Sequence, residues 1–352
     1  MRFDLTEEQK SLREMLTEFF GERFGGAQGV EAIACTTLDA DLWSAVAELG
    51  LAGAMVPEED GGLGLDLLTA TVIAEVTGRY AVPAPVLPSI LASWLIATAG
   101  SQEQKGKWLP KLLGEGAQAA FALAEDGGWA PADWTLEGAP LVGTKLYVER
   151  ADSADLFIVG GKYGSLAIVE ADDATLTPVD TLDRTRPLFA VAFDAAADVL
   201  TTDAAVAGKL FDALCITSAA DALGAASAIQ ARAIDYAKER KQYGRLIGSF
   251  QALKHQLADM SVELEPARPL VWYAAHAWDM GQEDAPRMAA LAKAHLTDIS
   301  VQVARNAIEA HGGIGYTWEH PAHLFLKRAM ADRSALGSVN VHRERAAVLA
   351  GW

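Results

Sequence analysis

The periodicity of this chain changes twice along its length, and that constrains the fold more than any single motif. Up to about residue 117, apolar residues recur at helical spacing. From 118 to about 203 come short apolar runs, at Phe121–Ala124, Leu141–Val148, Leu156–Val159, Leu166–Val169 and Leu188–Phe193, parted by Gly, Asp and Pro. From about 204 the helical spacing returns in long segments. Segregated blocks of this kind favour several domains over one doubly wound sheet. The expected division is a helical domain over 1–117, a small β-sandwich or barrel over 118–203, and a helical bundle over 204–352.

Local signals sharpen the boundaries. Thr6-Glu-Glu-Gln9 and Ser101-Gln-Glu-Gln104 both fit a capping box, in which a hydroxyl and a glutamine satisfy each other's free amides. The first leads into Leu12, Met15, Leu16, Phe19 and Phe20, expected on one helical face. A second helix should run from Asp41 to Leu49 and stop at Gly50. A glycine-rich loop follows from Val56 to Asp66, and Asp66 can cap the next helix. Pro83, Pro85 and Pro88 mark a linker. In the bundle the expected segments are Leu210–Arg240, Phe250–Met280, Ala285–His311 and a portion after Glu319. Pro266 and Pro269 should kink the second, since each removes a helix donor.

Composition excludes some functions. The 352 residues are 51% hydrophobic, enough for large cores, yet no run of about 18 uninterrupted apolar residues suggests a membrane span. The start, Met1 to Glu8, lacks an apolar signal-peptide core. Cys35 and Cys215 form neither a metal spacing nor a disulfide framework, so a reducing cytoplasm is expected. The net charge of −18 argues against nucleic acid, which needs a basic footprint. An anionic cofactor would have to be held by local cations.

Two motifs stand out. Arg240-Lys-Gln-Tyr-Gly-Arg-Leu-Ile-Gly-Ser-Phe-Gln251 lies between two long helices. Arg240 and Arg245 offer guanidinium forks for phosphate oxygens, Tyr243 and Phe250 offer aromatic surface, and Gln251 can donate and accept. A basic turn with aromatic core residues is the plainer reading. His311-Gly-Gly-Ile-Gly-Tyr-Thr-Trp-Glu-His-Pro321 ends a long helix on more glycines than a C-cap requires.

Taken in order along nearly the whole chain, these pieces resemble the acyl-CoA dehydrogenase family. Leu5-Thr-Glu-Glu-Gln9, Pro57-Glu-Glu-Asp-Gly-Gly-Leu-Gly-Leu65, Gly100–Lys105 with Leu109-Pro110, Phe121-Ala-Leu-Ala-Glu125 and both glycine motifs carry the likeness. The resemblance implies the family fold, mainly α with a central β domain and a C-terminal four-helix bundle. It also implies FAD, an acyl-CoA substrate and electron-transferring flavoprotein as acceptor. In the family a carboxylate takes the α-proton of the thioester while hydride passes to the flavin. By the same resemblance Arg240, Gln242, Tyr243, Phe250, Gln251, Gly312 and Gly313 reach the FAD of a neighbouring subunit. Glu309 stands where many relatives carry Gln, and a cation such as Arg240 is expected to offset it. Phe211 and Asp212 resemble coenzyme A contacts, although the arginine that often follows them is Cys215.

The departures fall on one side of the site. The family's usual base position holds Leu336 and its other known base position holds Leu214, so no catalytic residue is assigned. Ala124 replaces a flavin-contacting Thr, and Asp126-Gly-Gly-Trp-Ala-Pro replaces a Pro-Gly-x-Gly-Ser-Asp loop. Lys145-Leu-Tyr-Val-Glu149 keeps an aromatic at Tyr147 able to stack, but puts Glu149 where a hydroxyl is usual. This pattern, with the ending Gly315–Leu324 and Lys327-Arg328, resembles the partner-type subunits of heteromeric (α2β2) acyl-CoA dehydrogenases of steroid-degrading actinobacteria. There a catalytic subunit carries the base and the other chain completes the FAD site. Two alternatives stay open: a self-sufficient homo-oligomer whose base has moved to Asp212, Glu149 or Asp332, and a redox-inactive acyl-CoA-binding scaffold. Carboxylates of this kind more often cap helices or face solvent, and His255, His276, His295 and His311 have no ligand spacing.

Overall fold

The computed structural model describes residues 4–25 and 37–352. Cys35 and the first three residues lie outside them. Among the described residues five helices come first: α1 (Glu7–Phe24), α2 (Ala40–Glu48), α3 (Leu67–Arg79), α4 (Val86–Ala99) and α5 (Gln102–Gly114). Both capping boxes form, at Thr6/Gln9 and Ser101/Gln104, and Asp66 accepts from the Thr69 amide to start α3. Gly50 ends α2 with φ +67°. Leu16 and Phe20 are buried as the spacing predicts, but Met15 is exposed, because its position falls off the stripe that meets α3. Pro88 does not lie in a linker. It sits in the first turn of α4, where an amide has no intrahelical partner to lose.

Seven strands follow: β1 (Ala119–Ala122), β2 (Leu141–Glu149), β3 (Leu156–Gly161), β4 (Ser165–Glu170), β5 (Ala174–Val179), β6 (Leu188–Ala195) and β7 (Asp198–Thr201). They form one sheet in the order β1-β3-β4-β7 and a second in the order β2-β6-β5. Phe157, Val159, Val148, Val191 and Phe193 fill the space between the sheets. The short-run reading missed β5 and β7. Both are edge strands, with their mostly polar residues outward, and β5 tolerates Pro178 for that reason.

The bundle consists of α6 (Ala204–Glu239), α7 (Gln251–Leu264), α8 (Ala267–Asp279), α9 (Ala285–His311), α10 (Ala322–Ser334) and α11 (Val339–Leu349). The expected kink is a full break, with Pro266 standing between α7 and α8. By length and composition α6 could cross a membrane, yet 83% of that apolar window is buried inside the protein, as for a core helix. It is pinned to α3 by two glycines. A Cβ on Gly224 would overlap the Glu75 carbonyl oxygen, and one on Gly78 would overlap that of Asp221. Only glycine lets the two backbones come so close. The contact brings the N-terminal helices, the β layer and α6 together around one cavity.

Candidate active site and cofactor half-site

That cavity has a volume of about 610 Å³ and opens between α3, α4, the β layer, α6 and α10. The two residues expected at the family's base positions both line it: Leu214 from α6, and Leu336 from just beyond α10. Two elements distant in sequence are thus brought to one space, and each presents an aliphatic side chain that cannot take a proton. Leu336 is also held at φ +59°, a left-handed backbone unusual for a branched residue.

The polar part of the wall is an ion cluster. Arg328 donates to both oxygens of Asp221, at 2.9 and 2.6 Å, to Thr185 Oγ1 at 2.9 Å and to Val82 O at 3.4 Å. Arg186 donates to Asp332 Oδ1 at 2.6 Å, and its guanidinium lies 4.0 Å from Asp221. Burial works to raise the Asp221 pKa, but the Arg328 charge and hydrogen bonds outweigh it and hold the carboxyl below its usual range. Asp332 goes the other way. Burial, only partly offset by Arg186, pushes it up to about 7, and Asp332 Oδ2 has no hydrogen-bond partner. Glu149 also lines the cavity and is raised by burial. Behind the wall lies Lys293, fully buried and pushed down to about 8 by desolvation. It donates to Ser218 Oγ at 3.2 Å and to the Asp332 carbonyl oxygen.

The β side of the cavity is rebuilt around aromatic and ionic contacts. Tyr147 stacks on Trp129 at 6.0 Å with a 19° interplanar angle, and both line the space. Glu125 pairs at 2.5 Å with Lys145, whose ammonium is buried and lies over the Trp134 ring. Ala124 makes only a backbone bridge to Leu146. Sequence reasoning named Glu149, Asp332 and Tyr147, but not Ser218, Lys293, Arg186 or Asp221. For Ser218, Asp221 and Lys293 the signal was charged and polar residues inside otherwise apolar helices; Arg186, in the β5–β6 loop, had none.

Phe211 and Asp212 are not on this cavity. Asp212 is buried and accepts from Arg345 at 2.5 Å; Phe211 stacks on His342 at 6.2 Å beneath the same guanidinium. Their polar and aromatic faces are engaged within the chain by α11. Asp212 is raised by burial against the opposing Arg345 charge. Cys215, where the family often has arginine, is buried and its thiol is pushed up to about 12.

The second motif region gathers elsewhere on the surface. Lys241–Gln242 pairs with Arg245–Leu246 as a hairpin whose two loop residues, Tyr243 and Gly244, have φ of +53° and +77°. That is the geometry a two-residue hairpin turn demands. It leaves Tyr243 92% exposed and edge-on to Phe250 at 6.2 Å. Arg240 is exposed and, among the described residues, makes no ion pair. Gln251 starts α7 with its side chain exposed. Gln242 donates only to the neighbouring Lys241 carbonyl. Gly312 ends α9 at φ +66°, ψ −143°, a conformation reserved for glycine, and a Cβ on Gly312 or Gly313 would meet nothing within 4 Å. Glu309 accepts from Gln256 at 3.1 Å, so its offset comes from an amide donor rather than from Arg240. A free guanidinium, an exposed ring and open glycine backbone are the donor set a dinucleotide phosphate needs, and these residues fit FAD.

Comparison with known proteins agrees in order and extent. Residues 6–115 match the acyl-CoA dehydrogenase N-terminal domain and 204–348 the C-terminal domain. The acyl-CoA dehydrogenase IpdE2 of Mycobacterium tuberculosis is 33% identical over 334 residues, covering 94% of each chain. The chain belongs to the acyl-CoA dehydrogenase family. Among solved structures, butyryl-CoA dehydrogenase from Megasphaera elsdenii superposes over the full length of both chains with a TM-score of 0.90 at 26% identity. A variant of the Tcur3481-Tcur3483 steroid ACAD does so over 98% of each, with a TM-score of 0.90 at 30% identity. The family is FAD-dependent, and FAD is the cofactor of this family member.

Proposed function

We propose that this chain is the partner-type subunit of a heteromeric, FAD-dependent acyl-CoA dehydrogenase of α2β2 type. It lacks the base and completes the FAD site of a catalytic subunit. The observation that carries the reading is the meeting of Leu214 and Leu336 on one cavity. Deprotonation next to a thioester needs an acceptor in the cavity, and neither side chain offers one. Of the half-site residues, Arg240, Gln242, Tyr243 and Gln251 are exposed, and Arg240 makes no ion pair among the described residues, as a surface that serves a neighbour's cofactor requires. FAD supplies the hydride acceptor for α,β-dehydrogenation. On this side Arg240 would neutralise phosphate charge, Gln242 and Gln251 would supply amide donors, and Tyr243 and Phe250 would cover the cofactor. Similarity to the steroid ACAD supports a steroid-derived acyl-CoA as substrate, and similarity to a chain from a study of an electron-transferring flavoprotein supports that acceptor; the proposed compartment is the cytoplasm.

The test is co-expression with a catalytic acyl-CoA dehydrogenase subunit. The complex should be yellow and active, the chain alone should hold little flavin, and Arg240→Gln should lower flavin content in the complex. Stoichiometric flavin and turnover in the chain alone would overturn the reading. It would favour a second one, in which Asp332, raised toward neutrality one helical turn before Leu336, acts as the base. In that case Asp332→Asn would abolish turnover.

A further inference from the structure

The cavity carries one polar group whose direction is fixed from behind. Ser218 lies on α6 between the Leu214 and Asp221 positions, is half-buried, and lines the cavity. A serine inside a helix usually turns its hydroxyl back onto the carbonyl four residues earlier. Here Thr217 Oγ1 donates to Ala213 O at 2.9 Å, with Leu214 O farther off at 3.2 Å, and among the described residues Ser218 Oγ makes no hydrogen bond to Leu214 O. On its other side, Ser218 Oγ accepts from Lys293 Nζ at 3.2 Å. An ammonium has only donors, so it can occupy only a lone pair of the serine oxygen. Lys293 cannot swing away without leaving its other partner, the Asp332 carbonyl oxygen, inside a fully buried site. Among the described residues nothing takes the Ser218 proton.

We propose that Ser218 is a hydrogen-bond donor into the cavity, oriented by Lys293, and that it selects ligands whose buried portion carries a carbonyl oxygen. The surrounding wall supplies the rest of the specificity. Leu87, Phe121, Leu123, Leu214 and Leu336 present aliphatic and aromatic surface to a compact apolar body. Asp183 and Asp221 on the same wall are already paired with Arg186 and Arg328, so these two carboxylates are satisfied within the protein. The substrate class is therefore an acyl group bearing a ketone oxygen beyond its thioester, rather than a plain alkyl chain. A plain chain would leave the Ser218 hydroxyl without a partner. This selection rests on the acyl-CoA reading of the cavity. It does not depend on whether this chain or a partner carries the base.

The probe is camphor, a compact neutral ketone, compared with its exo-methylene isostere, 2-methylenebornane, on the full-length chain. Camphor should bind about tenfold more tightly, the difference expected of one net hydrogen bond. The carbonyl stretch of bound camphor should fall below its value in hexane. Ser218→Ala should bring the two affinities together and return the stretch toward the hexane value. Lys293→Met should leave camphor bound but broaden the shifted band, since the hydroxyl is then free to rotate. Equal affinities for the two probes on the unmodified chain would overturn the proposal, and so would a shifted band that survives Ser218→Ala. An unchanged narrow band in Lys293→Met would remove Lys293 from it. If that variant does not fold, the affinity ratio and the Ser218→Ala pair still decide. Neither readout involves flavin or turnover, so failure here is distinct from failure of the partner-subunit assignment.

Discussion

Replacing Arg328 with Met tests whether the ion cluster behind the cavity holds the domains together. The guanidinium makes four hydrogen bonds, to Asp221, Thr185 and Val82, and so ties α10 to α6, to the β5–β6 loop and to the segment before α4. Methionine keeps most of the aliphatic volume but none of the donors. Asp221 is then left buried with Arg186 as its nearest cation, at 4.0 Å. Removing one partner of a buried pair costs about 3–5 kcal/mol, because the other charge stays desolvated. For a chain of 352 residues the unfolding entropy is about 0.7 kcal/mol/K, so the melting temperature should fall by about 4–7 °C. The assay is calorimetry at neutral pH, with Arg333→Met as the control. Arg333 pairs with Asp298 on the surface, and such pairs contribute about 0–1 kcal/mol. A fall of less than about 2 °C in Arg328→Met, or an equal fall in the control, would refute the argument that burial makes this pair strong.

Three further outcomes follow from the same structure. Gly224→Ala should destabilise by about 2 kcal/mol or more, since the new methyl overlaps the Glu75 carbonyl oxygen. Gly208→Ala, on the same helix but with open space around it, should stabilise by about 0.5–1 kcal/mol; urea titrations of both compare the two. Asp332 is raised from 3.8 to about 7 in the folded chain. Its contribution to stability is therefore full below about pH 4 and lost as pH rises to about 7. Asp332→Asn should abolish that part of the pH dependence, so its advantage over the unmodified chain should grow between pH 4 and 7 in melting curves. A difference independent of pH would show that the carboxyl does not titrate there. The fifth outcome is the loss of ketone preference in Ser218→Ala.

Much of the architecture was legible because it rests on local rules. Capping boxes, Asp66, Gly50 and the α7–α8 break at Pro266 each follow from a few adjacent residues. The edge strands β5 and β7 were not legible, since an edge strand needs little apolar alternation. Of the site, Leu214 and Leu336 could be named only through family resemblance; what brings them to one cavity is tertiary packing. The positions of Phe211 and Asp212 were the least predictable. Arg345, which covers both, lies more than a hundred residues away on α11, and nothing near residue 212 announces it. Lys293 shows the same limit, because a lysine inside an apolar helix cannot be told from one on its solvent face until its neighbours are known.

The length of α6 has a mechanical consequence. One unbroken helix carries Ser218 and Leu214 on the cavity wall and ends at Arg240 on the outer surface. At 1.5 Å per residue, Ser218 and Arg240 are about 33 Å apart along a single strut. A tilt of about 2° at the cavity end would carry Arg240 sideways by about 1 Å, enough to lengthen a phosphate hydrogen bond past its useful range. The clamp where Gly78 meets the Asp221 carbonyl and Gly224 meets that of Glu75 lies between those points and would act as the fulcrum. In the assembly proposed above, a ligand filling the cavity would press on one arm of a lever whose other arm meets the neighbour's cofactor.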